Sequence, residues 1–217
     1  MRAIRSLMER STIYRAISAP TALVGGVVGM IVGAVLWFQG GRAEEPPGPG
    51  TFVVTWLLTY VVIDAFNFSM IHRNARNRGE SFLSPGLKHA VRALAPPMAC
   101  GCIAGASFAL IKGDPALCAI TWVTFFGIAL LSTSSFAPRS IGWLGAAFTA
   151  AGVVMLPLYL TLDPAGHINR FQIACLIMAG TFGLFHIVYA AAITGAQAVG
   201  TKRTEGPNPL TSTSPSE

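Results

Sequence analysis

Six long stretches of the chain are almost wholly apolar, and polar residues collect between them. They cover residues 20–39, 51–71, 89–111, 115–133, 141–162 and 171–199. A bilayer core about 30 Å thick needs roughly 20 helical residues. Each stretch therefore predicts one membrane-crossing helix. Residues 1–19 follow a different pattern. Ile4, Leu7, Met8, Tyr14 and Ile17 recur at roughly helical spacing, with Arg2, Arg5, Glu9, Arg10 and Arg15 mostly on the other side. That is the pattern of an amphipathic helix lying in the membrane interface. The apolar run behind it is too long for the core of a signal peptide, and no convincing small-x-small cleavage site follows. The fold class expected is an all-α membrane protein: six transmembrane helices preceded by an interfacial helix. In domains, this is 1–19 interfacial helix, 20–199 transmembrane bundle and 200–217 disordered tail, the last being polar and rich in Pro, Ser and Thr.

Small residues punctuate the runs. Gly25, Gly29 and Gly33 form a ladder in the first, Gly101 and Gly105 a pair in the third, and Gly142, Gly145, Thr149 and Gly152 a stripe in the fifth. Such faces let helix backbones approach closely. Pro96-Pro97 lies inside the third run, where two missing backbone donors predict a kink or break. Residues 40–50, GGRAEEPPGPG, are nearly all Gly, Pro and charge, and predict a non-helical connection.

Composition agrees with the pattern: 53% of residues are hydrophobic and 11% charged, against about 25% charged in soluble domains. Charge then orients the bundle. Of the fifteen Lys and Arg residues, twelve fall in the tail and connections on the side of the N-terminus, and Arg42, Lys112 and Arg170 fall on the other. By the positive-inside rule both termini are cytoplasmic, and the net charge of +6 belongs to a face opposite anionic lipid rather than to nucleic acid.

The candidate chemistry is an intramembrane polar cluster. Asp64 is the one acidic residue inside an apolar run, and it shares a helix face with Tyr60 and Asn67. Arg92 enters the membrane with the third run, and His186 and Tyr189 sit in the sixth. Asp64, Arg92 and His186 can meet in the cytoplasmic half of a bundle. One reading is a proton-coupled or ion site in which Asp64 and His186 titrate. The other is a buried Asp64–Arg92 pair that fixes helix register, with His186 bonded to a carbonyl or to Tyr189; Arg92 can equally sit at the head groups and pair with lipid phosphate. Cys100, Cys102, Cys118 and Cys175 match no zinc spacing, and Cys100 and Cys102 point about 200° apart on a helix. No P-loop, nucleophile elbow, HExxH or dinucleotide motif occurs. No catalytic, cofactor-binding or metal residues are expected.

Four phrases, RSLMERSTIYRAIS at 5–18, RALAPPM at 92–98, APRSIGWLGAAFTAAG at 137–152 and GLFHIVYAAAI at 183–193, resemble those of an uncharacterised family of small bacterial six-span integral membrane proteins. In that family similar phrases occur in a similar order across most of the chain, often encoded beside small transcriptional regulators. The resemblance implies a bacterial inner-membrane protein and carries no activity with it. The function expected is a non-enzymatic membrane component that packs with itself or a partner, its basic cytoplasmic face being the contact surface. The alternative is a small proton- or ion-coupled transporter or channel using Asp64 and His186.

Overall fold

The computed structural model describes residues 19–42, 47–77, 85–162 and 169–204. Of the interfacial helix expected at 1–19 all but Ala19, which opens the first helix, lies outside them, and so does the tail expected at 200–217 beyond Thr204, residues 200–204 being helical. Every element among the described residues is helical: α1 (Ala19–Arg42), α2 (Pro49–Asn77), α3 (Pro85–Leu110), α4 (Pro115–Ser132), α5 (Arg139–Leu162), α6 (Arg170–Met178), a π-helical segment (Ala179–Phe185) and α7 (His186–Thr204). The last three run on as one sixth helix. Six helices are thus long and apolar enough to cross a membrane. Helix α1 ends, α4 begins and α6 begins at one end of the bundle, called here the Asp114 end; α4 ends and α5 begins at the other, the Arg139 end.

Helix α4 is the most buried and organises the bundle. It packs against α3, α5 and α6, while α1 packs along the sixth helix. Phe52, Cys118, Val123, Phe148, Phe171 and Cys175 form the centre of the core. Glycine sets the helix spacings. Gly101 faces Phe125, and Gly105 faces Trp122, across the α3–α4 seam. Gly127, Gly145 and Gly152 bring α4 and α5 to backbone contact. In α1 the buried face is Gly26, Gly29 and Gly33, set against Gly183 and Ala179 of the sixth helix, whereas Gly25 turns to Ile63 of α2. The expected ladder of Gly25, Gly29 and Gly33 is therefore shifted. Adjacent glycines serve two neighbours, so α1 fits between α2 and the sixth helix.

Two irregular stretches differ from expectation. Helix α1 continues through Gly40 and Gly41 to Arg42, although that sequence favours a loop. Tertiary capping supplies the reason. Gln172 Nε2 donates to the Trp37 carbonyl at 3.3 Å and Asn169 Nδ2 to the Gly40 carbonyl at 3.2 Å, satisfying acceptors that a helix end leaves open. Helix α3 also runs unbroken past Pro96 and Pro97. Pro97 has no N–H for the Ala93 carbonyl four residues earlier. Ser132 takes its place: its hydroxyl lies 2.9 Å from the Ala93 oxygen, shared with the Ala129 oxygen at 2.6 Å. Replacing Ser132 by alanine is expected to cost about 0.5–1 kcal/mol, read as a lower melting temperature in detergent. An unchanged melt would show that the freed carbonyl needs no donor.

The π-helical segment has a similar origin. It spans Gly180 and Gly183, where backbone freedom is greatest. Thr181 Oγ1 donates to the Ile177 carbonyl at 2.7 Å, and His186 Nδ1 bonds the Phe182 carbonyl at 2.9 Å. Both side chains reach the carbonyl four residues back, the acceptor that an α-helical N–H would otherwise use.

Candidate functional site

Helix α2 carries the polar stripe. Its first turns are part of the core: Phe52, Val53 and Trp56 are buried. Phe52 stacks on Trp122 at 6.1 Å between ring centroids and meets Phe171 edge-on at 6.0 Å. Beyond Trp56 the helix leaves the core. Leu58, Val61, Val62, Phe66 and Phe68 are exposed, each by 40% or more of its surface. Asp64 and Asn67 lie half-buried on this outlying part. Tyr60 lies one turn before Asp64 on the same face of α2. The Asn67 side-chain oxygen is buried with no hydrogen-bond partner among the described residues, as is Trp56 Nε1. A buried polar atom without a partner costs roughly 1–3 kcal/mol.

The six candidate residues fall into separate groups. Tyr60, Asp64 and Asn67 remain together, as helical spacing requires. Arg92 does not join them: it is exposed and forms no ion pair among the described residues. Helical geometry explains the separation. Gly50 faces Leu110 and Tyr60 lies near Cys102, so α2 and α3 are antiparallel in a register that puts Asp64 level with about Pro97. Side chains tilt towards their own helix N-terminus. Asp64 therefore leans to the Asp114 end and Arg92 to the Arg139 end. The Ser132–Ala93 hydrogen bond fixes Arg92 further, since it sets the residue beside Arg92 level with the last residue of α4.

His186 is apart from both. Gly25 of α1 faces Ile63, next to Asp64, while Gly26 faces Gly183 and Ile187, on either side of His186. Helix α1 is thus interposed. The His186 ring packs among Phe126, Phe148 and Phe182, with centroids at 5.8, 5.5 and 6.2 Å. Because a carbonyl only accepts, Nδ1 holds the proton in the bond to Phe182. Tyr189 is buried beside Ala22, Leu130 and Ile141, and its hydroxyl is 3.5 Å from Ser140 Oγ. Sequence spacing along one helix was sufficient for the α2 triad. Meeting between helices depends on which helix stands between, and periodicity carries no signal for that.

A polar knot at the other end was missed. Asp114 is 5% exposed and uses both carboxylate oxygens. Oδ1 caps α4, accepting from Ala116 N and Leu117 N at 3.0 Å each. Oδ2 accepts from the Tyr159 hydroxyl of α5 at 2.8 Å and from Arg170 of α6 at 3.2 Å. Negative charge at a helix N-terminus is favourable, and Arg170 balances it. A signal for the cap was available: Asp followed by Pro115 is an N-cap and N1 pair. Each member of the knot is satisfied, which makes it a clamp rather than a binding site.

Among the described residues no group of three or more His, Cys, Asp or Glu side chains is placed to hold a metal ion. Comparison with protein-family models, with curated proteins and with solved structures finds no match.

Proposed function

We propose that the protein is a non-enzymatic component of the bacterial inner membrane, with both termini cytoplasmic, that associates within the bilayer through α2. The Asp114 end then faces outward and the Arg139 end the cytoplasm, as the Lys and Arg distribution favours. The observation that carries the reading is the departure of α2 from the bundle after Trp56, bearing the Tyr60–Asp64–Asn67 stripe on a surface that the other described residues leave half open. Polar side chains at that depth are costly against lipid and favourable against another helix. Gly26, Gly29, Gly33, Gly101, Gly105, Gly127, Gly145 and Gly152 already face neighbouring helices, which favours α2 as the contact surface for a second copy or a partner's transmembrane helix.

Coupled transport through Asp64 and His186 has less support. Helix α1 stands between the two, and aromatic rings line the His186 side.

The test places a photo-crosslinking side chain at Val61 in living membranes, with Trp143 on α5 as the control; both positions are exposed. The expected result is an adduct of discrete mass at Val61, twice the protein's own mass if it self-associates, weakened by Asp64→Ala and absent at Trp143. Adducts to lipid alone at both positions would sink the reading.

A further inference from the structure

Lys88 and Arg92 stand one turn apart on α3, on the same face, and both are exposed. Two like charges at that spacing destabilise a helix unless an anion lies between them. Neither forms an ion pair among the described residues. Arg73 and Arg76 of α2 are also exposed, and the antiparallel register sets Arg73 level with Lys88. Between positions 73 and 92 the sequence holds five cations and one acid, Glu80. The depth is also defined: Ala93, beside Arg92, hydrogen-bonds to Ser132 where α4 ends.

The surface beyond the cations changes character at once. Ala95, Pro96, Ala99 and Ile103 continue the same exposed face of α3. Two of the four are alanine, and Val62 and Phe66, on the outlying part of α2, are exposed as well. The exposed face of α3 thus carries positive charge towards the Arg139 end and hydrocarbon beyond it.

We propose that this face of α3 binds an anionic phospholipid, its phosphate between Lys88 and Arg92 and its acyl chains along Ala95, Ala99 and Ile103. Charge complementarity selects the headgroup, and the apolar face selects a lipid over a free anion. The proposal rests on the membrane reading of the six helices but not on association through α2. It places a lipid contact on the cytoplasmic side, where anionic headgroups attract basic segments.

The test uses the purified full chain, stripped of lipid in detergent, with phosphatidylglycerol or phosphatidylcholine added back. Retained lipid is counted by native mass spectrometry and melting is followed in parallel. Phosphatidylglycerol is expected to be retained in preference and to raise the melting temperature. The Lys88→Ala/Arg92→Ala double variant should bind it about twenty-five-fold more weakly, at about fivefold per cation. It should melt like the native chain in phosphatidylcholine, which separates lost binding from lost folding. Arg42→Ala, at the opposite end, should keep native retention. Equal retention of the two lipids would overturn the proposal, as would unchanged retention by the double variant. An equal rise in melting temperature with inorganic phosphate would assign the site to a free anion and overturn it likewise. Should the double variant fail to fold, Ile103→Trp, which enlarges a side chain on the apolar face where the acyl chains lie and leaves the cations, is expected to lower retention; unchanged retention there would overturn the proposal too.

Discussion

Asp114→Ala is expected to lower the melting temperature more than any other polar substitution in the chain. The carboxylate caps α4 through two backbone donors and ties that cap to Tyr159 of α5 and Arg170 of α6. Loss of an N-cap costs about 0.5–2 kcal/mol. A further contribution comes from leaving the Tyr159 hydroxyl without this acceptor, about 1 kcal/mol. Arg170 adds little, since its side chain is 43% exposed and water can solvate it. The total is about 1.5–3 kcal/mol, or about 3–12 °C for a chain of this size. The series should be ordered. Asp114→Asn keeps an oxygen for the cap and loses the charge, so it should fall between alanine and the native chain. Tyr159→Phe should cost about 1 kcal/mol and Arg170→Ala less. Thermal unfolding followed by tryptophan fluorescence decides it. An Asp114→Ala protein melting within a degree of native would mean that the knot holds nothing together. Arg170→Ala as damaging as Asp114→Ala would mean that the ion pair, and not the cap, carries the effect.

The knot shows where sequence reading stops. The number and span of the helices were legible because the bilayer length imposes a long uniform signal on each run. The glycine pattern showed that close packing exists. It did not show the partner: Gly25 and Gly26 are adjacent, yet one serves α2 and the other the sixth helix. Gly40 and Gly41 read as a loop because the donors that keep them helical, Asn169 and Gln172, lie some 130 positions further on. Asp64 drew attention as an acid within an apolar run, and Asp114, at the edge of one, did not. Burial by three other elements made Asp114 the better-satisfied group, and only the folded chain brings those elements together. The same limit applies to Asp64, Arg92 and His186. Their similar depth was legible, but the interposed α1 and the opposed tilts of α2 and α3 were not.

Gly127→Ala and Gly142→Ala are expected to change stability in opposite directions. Glycine inside a helix is worse than alanine by about 0.5–1 kcal/mol, so the substitution is stabilising wherever a methyl group has room. At Gly142 the nearest atom to an added Cβ is Ser134 Cβ at 4.0 Å, an ordinary contact. Its melting temperature should rise slightly. At Gly127 the added carbon would collide with the Thr149 backbone nitrogen and side chain, and would lie 2.8 Å from the Gly145 carbonyl oxygen. Two of those obstacles are backbone and cannot rotate away, so α4 and α5 must move apart. Overpacking of this kind costs about 1–3 kcal/mol, which outweighs the propensity gain. Because α4 also contacts α3 and α6, the displacement should loosen the bundle beyond one seam. Adding Thr149→Ala to Gly127→Ala should recover part of the loss and no more, since the backbone nitrogen and the Gly145 carbonyl remain in place. Melting temperatures of the three proteins are the measurement. A Gly127→Ala protein as stable as Gly142→Ala would mean that α4 and α5 stand further apart than this packing places them, and the glycine-fitted hairpin would have to be abandoned as the centre of the fold.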